Sequence, residues 1–318
     1  MSGGSGVDPY TVGAFKGAPL LRLEHHGHEN QPYRAGDEHR TSTDRPRVGV
    51  ALSGCVYGGP VRIARYTTGE DPAYGIVEGE PGSEVIIALQ GDPLYVGIVP
   101  GNTTIALDEV RLLAPVIPRS KVIGIGRNYA DHAQEMGGDV PQEPLMFLIP
   151  NTAVVGPGDP VVMPRQSQNV HYEGELAVVI GKICKDVRVE DAGECIWGYT
   201  VANDVTARDL QASDGQWARA KGFDSFCPLG PWIETELDPA DLRLTTTLDG
   251  EVVQDGTTAD MVHGVAALVA HASAAFTLLP GDVILTGTPA GVGPVQPGQR
   301  VSVEIEGIGT LDNPFVRR

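Results

Sequence analysis

Two glutamates stand two positions apart at the start of an apolar run. Glu173 and Glu175 precede residues 176–180, a run typical of a β-strand, in which positions i and i+2 point to the same face. Asp204 lies near the end of a second strand-like segment and could supply a third carboxylate. Three oxygen ligands without a thiolate favour a hard divalent cation (Mg²⁺, Mn²⁺ or Ca²⁺) over zinc. The alternative is that both glutamates lie on a solvated strand face.

A second candidate group lies on a short predicted helix. Asn128 is expected to cap this helix, which continues to Met136. His132 and Glu135 are three residues apart and therefore share a helix face. A histidine oriented by a carboxylate can act as a general base, because its pKa lies near neutrality. The alternative is a surface pair that stabilises the helix by only about 0.2–0.5 kcal/mol.

Further polar residues follow Asp204 along the chain. A helix is predicted to begin immediately after it, with Asp204 or Thr206 as its cap. Arg208 on this helix could bind a substrate carboxylate through its guanidinium group, or pair with a neighbouring aspartate. Gln211 would lie on the adjoining face as a neutral polar contact. Lys221 could stabilise a developing enolate, although a lysine near a helix end is more often solvated.

The segment 285–294 is rich in glycine and proline and follows a buried strand. Its glycines would let backbone N–H groups approach an anion, and Thr288 adds a hydroxyl group. An ordinary turn would explain the same residues. The segment is not a phosphate-binding Walker loop, and the Gly124-x-Gly126 pair is too short for a dinucleotide motif.

Composition excludes several classes of protein. The net charge of −18 over 318 residues argues against nucleic acid as a partner, because phosphates require a basic surface. No apolar stretch is long enough to span a bilayer, so no membrane segment is expected. The four cysteines show no paired spacing, which is typical of a cytoplasmic chain with reduced thiols.

The pattern along the chain predicts three parts. Residues 1–60 carry six basic and six acidic residues without lasting periodicity, which predicts a disordered extension. Residues 61–118 contain short strand-like runs, including one at 94–99, and predict a small β-rich subdomain. Residues 119–318 predict a larger domain with many strands, a hairpin turn at 249–250 and a helix at 262–279. Strands outnumber helices without regular alternation, so an α+β or mainly β fold is expected.

Taken together, the motifs resemble those of the fumarylacetoacetate hydrolase family. In the family's order they are residues 126–129, the Glu173-x-Glu175 pair, Asp204, residues 206–209, Lys221 and residues 286–289. The resemblance covers residues 122–316, and residues 61–118 are similar to the N-terminal subdomain of many bacterial members. Residues 1–60 have no recognised counterpart. We therefore expect the natural protein to begin near Val61, which the intact mass of the native protein would test.

The resemblance implies a mixed β-sandwich roll core and a homodimer. It implies a Mg²⁺ or Mn²⁺ ion bound by Glu173, Glu175 and Asp204, and a short lid carrying His132 and Glu135 as catalytic residues. Lys221 would support an enolate. The implied contacts to a small 2-oxo acid are Arg127, Tyr129, Arg208, Gln211 and Thr288.

Several reactions are compatible with that site. The lid pair is similar to the acylpyruvase and oxaloacetate decarboxylase branch, whereas the N-terminal subdomain is similar to 2-hydroxyhepta-2,4-diene-1,7-dioate isomerases. The long central insertions of eukaryotic fumarylacetoacetase are absent. C–C cleavage of a small 2-oxo dicarboxylate or acylpyruvate, by hydrolysis or decarboxylation, is the first expectation. Keto–enol isomerisation or sugar-acid dehydration is the second, and a structural Ca²⁺ site in a non-enzymatic β module is the third.

Overall fold

The computed structural model describes residues 61–317, and within them strands predominate. The prediction for residues 1–60 lies outside the described residues. The strands are β1 (Arg62–Thr67), β2 (Ala73–Glu78), β3 (Val85–Leu89), β4 (Pro100–Ala106), β5 (Arg111–Leu113), β6 (Val122–Gly126), β7 (Leu145–Ile149), β8 (Val154–Val155), β9 (Val161–Met163), β10 (Val170–His171), β11 (Gly174–Ile180), β12 (Ile196–Asn203), β13 (Thr206–Ala207), β14 (Cys227–Glu234), β15 (Arg243–Leu248), β16 (Glu251–Thr257), β17 (Val283–Leu285), β18 (Arg300–Ile305) and β19 (Gly309–Arg317).

The helices are short and lie between these strands. The α-helices are α1 (Pro93–Val96), α2 (Ala130–Glu135), α3 (Arg208–Asp214), α4 (Ala218–Lys221) and α5 (Val265–Ala275), and single 3₁₀ segments cover Leu107–Glu109, Asn151–Ala153, Val189–Cys195 and Thr258–Asp260. None of the helices that the structure describes is long and apolar enough to cross a membrane. The predicted α+β, mainly β fold class is confirmed.

One large sheet organises the molecule. Its strands follow the order β4-β3-β2-β1-β14-β12-β11-β17-β6-β7, with β5 and β8 joined to β1 and β14 at the side. Strand β1 pairs with β14, so β1–β5 extend the same sheet that carries the later strands. A second sheet has the order β16-β15-β18-β19-β9, and β10 pairs with β13. The domain boundary expected at residue 118 stays a prediction.

The buried centre of the large sheet is β11, which lies between β12 and β17. All seven of its residues are buried. Leu176 and Val178 pack into one hydrophobic cluster, and Ala177 and Val179 pack into a second cluster on the opposite face. This alternation is the period of a strand, and burying each large apolar side chain contributes about 1.5–3 kcal/mol. The rigid strand therefore fixes the direction of the polar residues at its first end.

Two predicted elements differ from the structure. Residues 93–96 form helix α1 instead of starting a strand, because Pro93 occupies the first turn and the Asp92 carboxylate accepts from the Leu94 amide at 3.0 Å. The helix predicted at 262–279 is shorter, since α5 ends at Ala275 and Phe276 already has extended backbone angles. The apolar residues after it continue into the core without helical geometry.

Candidate metal centre

The carboxylates come together where β11 begins and β12 ends. The two strands are antiparallel, with Gly174 opposite Asn203, so Glu173 and Asp204 flank the same end of the pair. Asp204 donates its backbone N–H to the Glu173 carbonyl oxygen at 2.9 Å. One oxygen from each of Glu173, Glu175 and Asp204 lies within 4.8 Å of the others, and all three residues are buried. A solvated strand face is thereby excluded.

Two cations neutralise part of this charge. Lys221 ends α4 and is 2% exposed. Its Nζ donates to Glu173 Oε2 at 2.7 Å and to Asp204 Oδ2 at 2.6 Å. A third bond, to Thr206 Oγ1 at 2.8 Å, uses its last N–H, so no donor remains free for a substrate. Arg208, at the start of α3, contacts Glu173 Oε1 through Nη2.

The three carboxyl groups differ in the direction of their pKa shifts, because two cations do not compensate three buried negative charges. Burial favours the neutral form of Glu173, but Arg208 and Lys221 outweigh it and lower the pKa of this residue to about 2. Burial and the charges of Asp204 and Glu173 raise the pKa of Glu175 well above its usual value. Burial also raises the pKa of Asp204 to about 6, against the effect of Lys221. A further positive charge at this place would stabilise the ionised triad.

The donor set fits a hard divalent cation. Asp204 Oδ1 is buried without a hydrogen-bond partner, which is costly unless another group binds it. Glu175 Oε2 accepts from the Gly287 N–H at 2.7 Å, which orients that carboxylate. Carboxylate oxygens are the ligands that Mg²⁺ and Mn²⁺ prefer. The group Glu173, Glu175 and Asp204 could therefore hold such an ion.

His132 and Glu135 lie beside the carboxylates on α2. His132 is buried, and its Nδ1 is 3.3 Å from Glu135 Oε2. Its Nε2 is 4.0 Å from Glu173 Oε1, so the ring stands between the two glutamates. Glu135 also accepts from the Gly291 N–H at 3.2 Å, which ties α2 to the glycine-rich segment. This histidine is held in one orientation, as a general base requires.

The predicted helix caps are wrong. Tyr129 occupies the cap position of α2 without a side-chain bond, and the amide of Asn128 instead donates to the Thr286 carbonyl at 2.7 Å and the His263 carbonyl at 3.0 Å. Helix α3 begins only at Arg208, and Ala207 precedes it without a side-chain cap. The Thr206 hydroxyl donates to the Asp204 carbonyl oxygen at 3.0 Å. The side chains of Asn128 and Thr206 therefore hydrogen-bond to the backbone around the site instead of capping helices.

A cavity of about 380 Å³ is lined by Glu173 and Glu175 of the triad, whereas Asp204 lies outside its lining. That volume lies within the usual range of small-molecule sites. The lining residues that were predicted as part of the site are Arg127, His132, Glu173, Glu175, Arg208, Gln211, Lys221 and Thr288. The lining residues that were not predicted as part of the site are Ile125, Gly126, Met136, Asn169, His171, Ala212 and Trp217. Tyr129 is not in the lining, and its buried hydroxyl group has no hydrogen-bond partner. The structure therefore does not bring Tyr129 to the proposed substrate.

Thr288 is held by a residue that sequence reasoning missed. Gln254 on β16 donates to Thr288 Oγ1 at 2.8 Å and accepts from the Gly174 N–H at 3.0 Å. The Thr288 hydroxyl in turn donates to the Gly174 carbonyl oxygen at 2.8 Å. Gln254 follows an ordinary hairpin turn, and no local pattern indicates its role. These hydrogen bonds connect the glycine-rich segment to Gly174, the first residue of β11.

His171 is a second residue that sequence reasoning missed, and it lines the cavity. Burial and the nearby Arg208 lower the pKa of His171 to about 4, so its ring is neutral at pH 7. Its Nε2 is 2.9 Å from Asn169 Oδ1, while Nδ1 is buried without a partner. Its position two residues before Glu173 was a signal that could have found it.

Residues 121–316 match the family model described as Fumarylacetoacetate (FAA) hydrolase C-terminal, and residues 61–115 match the model described as Rv2993c-like, N-terminal. The first match spans more than half of the chain, which therefore belongs to the fumarylacetoacetate hydrolase family, a family of enzymes. Protein Rv2993c from Mycobacterium tuberculosis is 51% identical over 268 residues, covering 81% of this chain and 99% of that protein. Human mitochondrial oxaloacetate tautomerase FAHD2A is 47% identical over 220 residues, covering 65% and 70%.

Solved structures share the fold. A 5-carboxymethyl-2-hydroxymuconate delta-isomerase from Mycobacterium smegmatis gives a TM-score of 0.76 at 49% identity and covers 81% of this chain and 100% of its own. A fumarylpyruvate hydrolase from Pseudomonas aeruginosa, in complex with Mn²⁺ and pyruvate, gives a TM-score of 0.61 at 36% identity, with coverage of 69% and 93%. The expected mixed β-sandwich roll of the family is confirmed.

Proposed function

We propose that this protein is a Mg²⁺- or Mn²⁺-dependent enzyme that cleaves a C–C bond in a small 2-oxo acid. The observation that carries the proposal is a buried carboxylate triad whose Glu173 and Glu175 line the same cavity as His132, a histidine oriented by Glu135. A related hydrolase whose structure contains Mn²⁺ and pyruvate, itself a 2-oxo acid, supports this assignment.

Glu173, Glu175 and Asp204 would hold the cation. An ion bound there supplies Lewis acidity, which stabilises negative charge developing on a substrate oxygen. The triad contributes a formal charge of −3, Lys221 and Arg208 contribute +2, and the cation contributes +2, which leaves +1. A substrate that carries a carboxylate would balance this charge.

Arg208 and Gln211 would hold that carboxylate. Arg208 Nη1 donates to Gln211 Oε1 at 3.0 Å, and both residues line the cavity. Arg208 Nε is buried without a partner and is available to an anionic group. Lys221 keeps Glu173 and Asp204 ionised and in place, so its influence on an enolate is that of a nearby positive charge.

His132 would activate water for hydrolysis. Glu135 holds Nδ1, which leaves Nε2 to take a proton from a water molecule in the cavity. Decarboxylation needs no such water. We therefore expect His132→Ala to lower the hydrolysis of acylpyruvates by about 10²–10⁴-fold, and decarboxylation of oxaloacetate much less. Equal loss of both activities, measured as kcat, would contradict a separate water-activating role.

Tautomerisation or isomerisation is the second candidate. The human relative is an oxaloacetate tautomerase, and the mycobacterial structure is that of an isomerase. Here His132 would remove a proton from one atom of the substrate and return it to another, without cleaving a C–C bond. Such a reaction needs the same cavity and the same cation.

A substrate panel separates these candidates. Oxaloacetate, acetylpyruvate and fumarylpyruvate would each be assayed with Mg²⁺, with Mn²⁺ and with a chelator. Loss of enol absorbance reports tautomerisation, whereas release of pyruvate, measured with a coupled dehydrogenase, reports cleavage. Cation-dependent release of pyruvate supports the first proposal, and enol loss without pyruvate supports the second. If none of the three acids reacts, the proposed C–C cleavage is wrong.

A further inference from the structure

Gln254 holds the residue that separates two of the proposed cation ligands. It lies on β16 of the second sheet and is 1% exposed. Its Oε1 accepts from the N–H of Gly174, the residue between Glu173 and Glu175, at 3.0 Å. The two sheets meet closely here, because a Cβ atom at position 174 would lie 2.3 Å from Thr246 Oγ1 on β15. The second sheet therefore bonds directly to the backbone that carries both glutamates.

The same side chain also holds residues 287–291 of the glycine-rich segment. Gln254 Nε2 donates to Thr288 Oγ1 at 2.8 Å and to the Pro289 carbonyl oxygen at 2.9 Å. The Thr288 hydroxyl donates to the Gly174 carbonyl oxygen at 2.8 Å. Gln254 and Thr288, called the clamp below, thus bind both backbone polar groups of Gly174. Both N–H donors of the glutamine amide are used on the segment, and its oxygen is used on β11.

The clamped segment carries two backbone donors that orient acidic side chains of the site. At its first residue, the Gly287 N–H donates to Glu175 Oε2 at 2.7 Å. At its last residue, the Gly291 N–H donates to both carboxylate oxygens of Glu135 at 3.2 Å. Glu135 in turn contacts His132 Nδ1. One short stretch of backbone therefore orients a proposed cation ligand and also the carboxylate that orients the proposed base.

Close packing against β16 leaves this stretch little freedom. A Cβ atom at Gly291 would lie 2.1 Å from the Val253 carbonyl oxygen, and a Cβ atom at Gly256 would lie 2.8 Å from Pro289 Cβ. Gly291 also has a φ of +99°, which residues with a side chain rarely adopt. Gln254 lies between these two contacts along β16, so its hydrogen bonds fix the centre of the interface.

We propose that Gln254 is a positioning residue, which clamps the glycine-rich segment to Gly174 and thereby holds Glu175 and Glu135 at fixed positions relative to each other. The inference rests on the proposed function, because it takes the triad as the cation site and His132 as the base. It adds a residue of the second sheet that lies outside the cavity lining. Groups that support metal ligands through hydrogen bonds typically change metal affinity or activity by about 10–100-fold.

Hydrogen exchange in the cation-free protein tests the clamp directly. Gln254→Met keeps the length of the side chain but removes its three hydrogen bonds. Peptides that cover residues 287–291 should exchange about 10-fold faster in this variant, while exchange in α5 stays as in wild type. Thr246→Val is the matched control, because Thr246 is buried opposite Gln254 on β15 and its hydroxyl has no hydrogen-bond partner within residues 61–317. It should exchange like wild type.

Manganese binding and turnover measure the consequence for the site. Electron paramagnetic resonance titration should give a Kd for Mn²⁺ that is about 10–100-fold weaker in Gln254→Met than in wild type and Thr246→Val. At saturating Mn²⁺, kcat for the acid of the substrate panel that wild type converts fastest should remain about 10-fold lower in Gln254→Met. Added cation restores the occupancy of the triad, but it does not restore the bond from Gly291 to Glu135.

Thr288→Val is the second variant and serves if Gln254→Met does not fold. It removes the other half of the clamp, so it should also speed exchange of residues 287–291 and weaken Mn²⁺ binding. The double variant should lose little more than the larger single loss, because the two residues act together. Fully additive losses would contradict a common clamp.

The outcomes separate this inference from the proposed function. Equal exchange and equal Mn²⁺ affinity in Gln254→Met and Thr246→Val would refute the positioning role. Recovery of the wild-type kcat at saturating Mn²⁺ would refute the link to Glu135. If wild type binds no Mn²⁺, the proposed cation site itself is wrong, whereas faster exchange of residues 287–291 in Gln254→Met would still support the clamp.

Discussion

Lys221 shows how one residue can serve both the stability and the chemistry of this site. Its three donors are used by Glu173, Asp204 and Thr206, and its charge keeps the first two ionised within the protein. Acidic neighbours outweigh burial and raise the pKa of Lys221, so it is charged at neutral pH. Removing this ammonium group would leave Asp204 without a cationic partner in contact and Glu173 with Arg208 alone.

We expect Lys221→Met to lower the free energy of unfolding by about 3–5 kcal/mol, because it leaves uncompensated buried charge. The measurement is urea denaturation in the presence of a chelator. Lys182→Met is the matched control, since Lys182 is exposed and pairs with Glu194 at 3.0 Å, and it should cost about 0–1 kcal/mol. Similar losses in both variants would show that Lys221 does not stabilise the triad.

At the level of single residues, the sequence predicted the pairs of side chains that share one face of a strand or of a helix. The Glu173-x-Glu175 spacing on a strand was sufficient to place two carboxylates together, and His132 with Glu135 followed from helix geometry. Gln254 was not predictable, because it reaches Gly174 only through the packing of one sheet on another. Contacts between residues far apart in sequence leave no local pattern.

At the scale of elements, the turn between β6 and α2 is held by Asn128. Its side chain donates to Thr286 and His263 and accepts from the His263 N–H at 2.9 Å. We expect Asn128→Ala to lower the free energy of unfolding by about 1–3 kcal/mol, since it leaves buried backbone groups unsatisfied. Asn102→Ala, on an exposed position of β4, is the control and should change stability by less than about 0.5 kcal/mol. Equal stability of the two variants in urea denaturation would contradict this role.

The elements also show which patterns are reliable. The 249–250 hairpin turn is confirmed, because Asp249 and Gly250 both have positive φ between β15 and β16, as such turns require. Helix boundaries were less predictable. An apolar run such as 262–279 does not determine where the helix ends, since apolar residues can be buried in any backbone conformation.

The contact between β1 and β14 contains a carboxyl group with a shifted pKa. Glu234 is buried opposite Arg62, and burial raises its pKa. A raised pKa means that the folded protein accommodates the protonated acid better than the carboxylate. The acid therefore favours folding most below its unfolded pKa, and stability is lost as pH rises through the folded pKa and the group ionises. We therefore expect Glu234→Gln to be more stable than wild type at pH 7.5, with the difference vanishing as pH falls below 4.5. Thermal unfolding across this range measures it, and an unchanged difference at both ends would contradict the argument.

At the scale of the whole molecule, the sequence predicted the class of fold but not the order of its strands. Strand β1 joins β14, more than 160 residues away, and no local pattern specifies that partner. The family resemblance supplied the roll architecture, since it encodes long-range pairing that periodicity cannot reveal. Quaternary structure depends on the same kind of long-range information.

The expected homodimer can be tested at β7, the last strand of the large sheet in the part of the chain that the structure describes. Leu145 and Leu148 on this strand are 40% and 45% exposed. An edge strand with exposed apolar side chains is prone to pair with another chain unless it is covered, so a second copy is the expected cover. Light scattering should give the mass of two chains for wild type and of one chain for Leu148→Glu. Val252→Glu, on β16 with 62% exposure, should leave the dimer intact. A monomeric wild type would refute the dimer, and a dimeric Leu148→Glu would place the interface elsewhere.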